Sequence, residues 1–186
     1  MIGYAFCGSF CTLSQSLEQL ESLVREGEEV LPIVSENVAS LDTRFWKCRE
    51  FVERVEEVCS RRAVRTIVEA EPLGPKTPLD ALIIAPTTGN TLAKMAHGIT
   101  DGVVTMAAKA HLRTDRPLLI ALASNDAMSA NLANIAKMLV RTSVYFVPMR
   151  QDDPVSKPHS LVCDFSRLAE AYVAMLHGHR LRPLFV

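Results

Sequence analysis

Six short strand-like segments, alternating with helical patterns almost throughout, limit how this chain can fold more than any other feature: Ile2 to Cys7, Val30 to Val34, Val64 to Val68, Asp80 to Ala85, Pro117 to Ala123 and Val144 to Val147. A short run without polar alternation is what a strand buried on both faces requires. Between the runs, Leu13, Leu17, Leu20 and Val24 predict a first helix, with Gly27 placed to end it. Leu41, Asp42 and Thr43 prepare a second, with Phe45, Cys48, Val52, Val55 and Cys59 along one face. Pro32 predicts an edge position or a local irregularity for the second strand. Glu69 to Pro78, with three prolines, reads as a loop, and further helices are expected over Asp101 to Leu112, Met128 to Val140 and Phe165 to His177. Strands alternating with helices predict a mostly parallel sheet covered on both faces. Right-handed crossovers then select a three-layer, doubly wound, Rossmann-like α/β fold with a six-stranded sheet. A length of 186 residues fits a single domain over 1–186 with a substantial core.

The bulk properties narrow the function. A net charge of −1 argues against a general nucleic-acid surface. No apolar run approaches the roughly 20 residues of a membrane helix. The start, MIGYAFCGSF, lacks a basic segment and reads directly as a strand, so no signal peptide is expected. The five cysteines, Cys7, Cys11, Cys48, Cys59 and Cys163, form neither a disulfide framework nor a zinc pattern. Reduced thiols and a cytoplasmic location follow, with Cys7 and Cys48 buried.

In a parallel sheet, ligands bind beyond the carboxyl ends of the strands. Four such ends are small and polar: Cys7–Gly8–Ser9–Phe10, Ser35–Glu36–Asn37, Pro86 to Thr91, and Ser124–Asn125–Asp126. The richest belongs to APTTGNTLAKMAHGITD, Ala85 to Asp101, whose hydroxyls and glycine open a helix and can surround a phosphate. Simple helix capping by Ser9, Asn90 and Ser124 is the plainer alternative, and core packing is the plainer use of Met128. The G-x-G-x-x-G fingerprint and the phosphate-loop lysine are both missing, which favours a mononucleotide over a dinucleotide. No histidine pair has metal-site spacing, and no nucleophile elbow occurs, so metal ligands are not expected and catalytic residues stay unassigned.

Pro86, Thr87, Thr88, Gly89, Asn90 and Thr91 resemble the Pro-Ala-Ser-Ala-Asn-Thr motif of the homo-oligomeric flavin-containing decarboxylase superfamily. Within it, the CGSFCT start, AEPLGPK from Ala70, the block through MAAKAHLR and FVPMRQDDPVSKPHSLV from Phe146 resemble the family of bacterial dipicolinate synthase B subunits over essentially the whole chain. The resemblance implies FMN held by Gly8, Ser9, Phe10, Ser35, Thr87, Thr88, Asn90, Thr91, Ser124 and Met128. It also implies a homo-oligomer, trimeric or larger, working with an A subunit that supplies NADP in the mother cell of a sporulating bacterium. The net step is oxidation of the dihydrodipicolinate synthase product to dipicolinic acid. Lys157, His159 and Ser160 are candidates for the dicarboxylate substrate or for a contact between protomers. Decarboxylases of the superfamily place a histidine after the third strand, and Glu69 to Pro78 has none. Flavin prenyltransferases have a first loop richer in glycine and serine. An independent FMN enzyme and a non-catalytic, partner-stabilising subunit are the alternative readings.

Overall fold

A computed structural model describes residues Met1–Val186. Its strands are β1 (Ile2–Phe6), β2 (Val30–Val34), β3 (Leu82–Thr87), β4 (Leu118–Ser124), β5 (Val144–Phe146), β6 (Met149–Arg150) and β7 (Leu161–Cys163). The helices are α1 (Leu13–Arg25), α2 (Glu36–Ser40), α3 (Cys48–Cys59), α4 (Ile67–Ala70), α5 (Gly89–His97), α6 (Val103–Leu112), α7 (Leu132–Leu139) and α8 (Leu168–Leu176). One seven-stranded sheet runs β2-β1-β3-β4-β7-β6, with β5 also paired to β4. The first five strands are parallel, and β6 and β7 form an antiparallel hairpin. One helix layer packs α1 against α3 and α8; the other packs α6 against α4 and α5, and α5 against α7.

The central strands explain the apolar runs. Leu82, Ile83 and Ile84 of β3 and Leu118, Leu119 and Ile120 of β4 are fully buried. Each large side chain so buried stabilises the fold by about 1.5–3 kcal/mol. Beneath the carboxyl edge, the Tyr4 hydroxyl donates to Ser16 O at 2.9 Å, and Ser16 Oγ donates to Ala85 O at 2.5 Å. This buried chain ties β1, α1 and β3 together, with every polar group partnered. Pro32 lies on the edge strand β2, and its carbonyl accepts from Val64 N on the outer side. A strand residue directs its N–H and C=O to the same side, so the missing proline N–H costs no bond to β1.

Four details differ from the sequence reading. The run from Val64 contributes one bridge, to Ile33, and then turns into α4. Thr66 and Glu69 form a capping box there, which starts a helix where β-branched residues predicted a strand. The second predicted helix begins at Cys48, because Asp42 and Thr43 hold the preceding residues in a turn. The helix expected from Met128 begins at Leu132, after a turn closed by the carbonyl and side chain of Asp126. Finally, β6 and β7 add an antiparallel hairpin, making the sheet seven-stranded where six were expected. Strands of two and three residues are too short to leave a periodic signal.

Candidate functional site

The carboxyl ends of β1, β2, β3 and β4 do share one edge, and two adjoining cavities open there. Both are bordered by Gly8, Thr88 and Asn90. The smaller, about 270 Å³, is almost wholly polar; Ser35, Glu36 and Asn37 form one wall, and Thr91, Lys94, Asp101, Gly102 and Thr105 another. Val104 is its one apolar residue. The larger, about 630 Å³, has Ser9, Phe10, Cys11 and Thr12 on the β1 side and Ala123 to Asp126 on the β4 side. Arg44 and Phe45 reach it from the turn before α3, and Asp152, Lys157, Ser160 and Val162 from the β6–β7 hairpin.

Local chemistry fixes these walls. Thr88 is the N-cap of α5, its Oγ1 accepting from Thr91 N at 3.1 Å and donating to Thr91 Oγ1 at 3.0 Å. Ser35 likewise caps α2 through Val38 N. Ser9 does not cap; its carbonyl and hydroxyl lie 2.9 and 3.1 Å from Thr12 Oγ1, which braces the loop. Glu36 Oε1 accepts from Val103 N at 2.9 Å, so the start of α6 already carries a carboxylate. The first N–H groups of α5, on Gly89 and Asn90, have no partner inside that helix. Asn90 itself is exposed, and its carboxamide has no partner within the chain although it borders both cavities.

On the β4 side, Ser124 Oγ donates to Asp126 Oδ1 at 2.5 Å, and Asn131 Nδ2 donates to Oδ2 at 2.9 Å. Asn134 Nδ2 continues the chain to Asn131 Oδ1, and Asn134 Oδ1 lies 3.1 Å from His97 Nε2. The set packs so closely on Gly89 that a Cβ there would collide with Ser124, Asp126 and Asn131. Two of the cations at the site are neutralised. Lys94 binds Asp101 at 2.8 Å and holds its carboxyl below the usual aspartate range. Lys157 binds Asp152 at 2.5 Å, which holds the ammonium above the usual lysine range. Cys7, beneath the α5 cap, is pushed up to about 11 by burial and is an unreactive thiol. All five cysteines are free; Cys7 is buried as expected, whereas Cys48 is only half-buried.

Among the residues singled out from sequence, Gly8, Ser9, Phe10, Ser35, Thr88, Asn90, Thr91, Ser124, Lys157 and Ser160 line one or both cavities. Three others stand apart. Thr87 is buried, and its hydroxyl donates to Ile84 O at 2.7 Å across the irregularity in β3. Met128 is 40% exposed rather than in the core, on the turn before α7. Its N–H donates to the carbonyl of His159, and the His159 side chain lies outside both cavities. Sequence reading did not single out Arg44, Phe45 and Asp152, which also border the larger cavity. The turn-forming pair Asp42–Thr43 was the available signal for the first two.

A parallel sheet with a polar cleft at its switch edge, lined by loops that lack a dinucleotide fingerprint, defines the class. The chain belongs to the flavoprotein family, whose model matches residues 1–173. It is 42% identical over 185 residues to the dipicolinate synthase B subunit of Bacillus subtilis (strain 168), covering 100% of this chain and 92% of that one. The crystal structure of the dipicolinate synthase B subunit from Bacillus halodurans C matches with a TM-score of 0.91 and 39% identity, over 100% of this chain and 95% of that one. The FMN-dependent cysteine decarboxylase SpaF shares the fold, with a TM-score of 0.70 and 21% identity over 95% of each chain. No helix is long and apolar enough to cross a membrane.

Proposed function

We propose that this chain is the B subunit of a dipicolinate synthase, holding FMN in the two-part cleft and working with an A subunit that supplies NADP. Full-length similarity to two dipicolinate synthase B subunits supports the reaction. Flavoprotein family membership and an FMN-dependent fold relative support the cofactor. The observation that carries the reading is Asn90, whose unpartnered carboxamide sits where the polar cavity meets the larger one.

The donor set fits a flavin mononucleotide. Hydroxyls of Ser35 and Thr91 and free N–H groups at the start of α5 suit a phosphate and a polyol chain. Phe10, Ala123 and Val162 offer apolar surface to a flat ring in the larger cavity. Bound there, the flavin would supply a two-electron acceptor. The protein's own task is to orient the ring and the substrate and to exclude water. Asp126, with both carboxylate oxygens occupied by Ser124 and Asn131, serves as a fixed acceptor on the β4 wall. In the net step, a dihydro ring loses one hydride, which reaches NADP, and one proton, leaving the aromatic dicarboxylate.

Reconstitution with FMN followed by a visible absorption spectrum tests the cofactor. Saturable binding is expected, with Asn90→Ala weaker by about tenfold, the usual cost of a lost hydrogen bond to a polar ligand. A chain that cannot be reconstituted would sink the flavin role. Product is expected only when the A subunit is mixed in; turnover by this chain alone would favour an independent flavin enzyme.

A further inference from the structure

Arg44 and Phe45 sit at the tip of a turn that is built with unusual care for a surface loop. Thr43 Oγ1 accepts from Phe45 N and Trp46 N, both at 3.2 Å, and Thr43 N donates to Trp46 O at 2.9 Å. Asp42 closes the far side, accepting from Cys48 N at 3.1 Å and from Lys47 at 3.0 Å. Trp46 pins the turn to the body, its indole N–H donating to Ser14 Oγ at 3.0 Å and its ring edge-on to Phe51. The two side chains this scaffold displays are stacked on each other and bind nothing else in the chain. The Arg44 guanidinium makes no hydrogen bond or ion pair and lies 4.8 Å from the Phe45 ring centroid, while Phe45 is 45% exposed. Both border the larger cavity.

Charge accounting singles Arg44 out. The cations lining that cavity are Arg44 and Lys157, and Lys157 is already paired with Asp152. A ligand carboxylate entering there meets one uncommitted cation, a planar fork suited to bidentate pairing. A flat ring attached to that carboxylate comes within stacking reach of Phe45.

We propose that the Arg44–Phe45 turn is the carboxylate anchor and ring platform for a planar heteroaromatic carboxylate in the larger cavity. The proposal rests on the dipicolinate synthase reading, and it assigns substrate selection to a segment outside the strand-end loops. Arg44 is a specificity residue and takes no part in holding the flavin.

Calorimetric titration of the FMN-reconstituted chain with pyridine-2,6-dicarboxylate tests it, beside cyclohexane-1,3-dicarboxylate as a non-planar dicarboxylate. Arg44→Gln should weaken the pyridine ligand by about tenfold or more, the ordinary cost of losing a charged hydrogen bond. Arg44→Lys should recover only part of the loss, because the fork is gone. Phe45→Leu should weaken the planar ligand and leave the cyclohexane ligand unchanged. FMN affinity, read from flavin absorbance, should be unaltered in all three variants. Unchanged pyridine-dicarboxylate affinity in Arg44→Gln overturns the proposal, as does a parallel loss of FMN. Flavin binding with no heat from the pyridine ligand overturns it while leaving the flavin reading intact. Dicarboxylate binding that depends on Arg44 in a chain unable to take up FMN would sustain the anchor and sink the flavin reading.

Discussion

At the scale of single residues, neighbours in one short loop divide sharply between structure and site. Thr87 spends its hydroxyl on Ile84 O inside the sheet. Thr88 both caps α5 and faces the cleft. The Asn90 side chain makes no hydrogen bond within the chain, so its carboxamide is free for a ligand. Sequence marked all three as equivalent polar residues, since composition cannot show where a hydroxyl points. His111 illustrates the opposite case, a buried polar residue away from the cleft. Its Nε2–H donates to Pro117 O at 2.9 Å, while Nδ1 is buried without a partner. Burial holds its pKa below the ordinary histidine value. As pH falls through about 6.5 the unfolded chain takes up a proton that the folded chain refuses. The contribution is therefore complete above that pH and is lost progressively as pH falls toward the lower, folded-state value. Urea midpoints are expected to drop between about pH 7 and about pH 5, less steeply in His111→Gln, whose amide can still donate to Pro117 O. Equal slopes in the two proteins would place the acid sensitivity elsewhere.

At the scale of elements, caps and tight turns decided the boundaries that periodicity misplaced. Thr66-x-x-Glu69 was readable as a helix start, yet the β-branched run beside it pointed to a strand. Asp42 and Thr43 were read as a helix start, whereas their side chains bind residues 45, 46 and 48 and delay α3 by one turn of chain. That delay takes Phe45 out of the helix and puts it at the cavity. The start of α5 depends on close approach to the β4 loop. Gly89→Ala should therefore displace Ser124, Asp126 and Asn131, costing about 1–3 kcal/mol, as overpacking does. Thermal unfolding measures the first effect, and FMN titration should show weakened binding with it. A variant of wild-type stability and affinity would mean that the β4 loop yields freely.

At the scale of the whole molecule, the sheet order brings residues from opposite halves of the sequence to one edge. The β6–β7 hairpin matters most, because β7 pairs with the carboxyl half of β4 and so carries Lys157 and Ser160 to the cleft beside Ser124. Several large apolar side chains remain outside the core, among them Leu132 at 52%, Val140 at 80% and Val155 at 91% exposure. Where such side chains adjoin one another, exposed apolar surface marks an association face. Sedimentation is expected to show a homo-oligomer, trimeric or larger, shifted toward smaller species by Leu132→Lys; a monomer at micromolar concentration would count against that assembly.

The sequence by itself determined the layered α/β class, because buried parallel strands must be apolar throughout and their crossover helices must carry a stripe of the same character. It also determined that the strand-end loops are polar, and in the Ala85 to Asp101 stretch it supplied a helix start rich in hydroxyls. Only the tertiary structure decided which of those groups are free. Hydrogen bonds within the chain consume Thr87, Lys94 and Lys157 and leave the Asn90 carboxamide and the Arg44 guanidinium without hydrogen-bond partners. The consuming partners lie only three to seven residues away, yet which hydroxyl or cation turns toward its neighbour and which faces the cleft is set by the folded backbone, and spacing alone does not encode it.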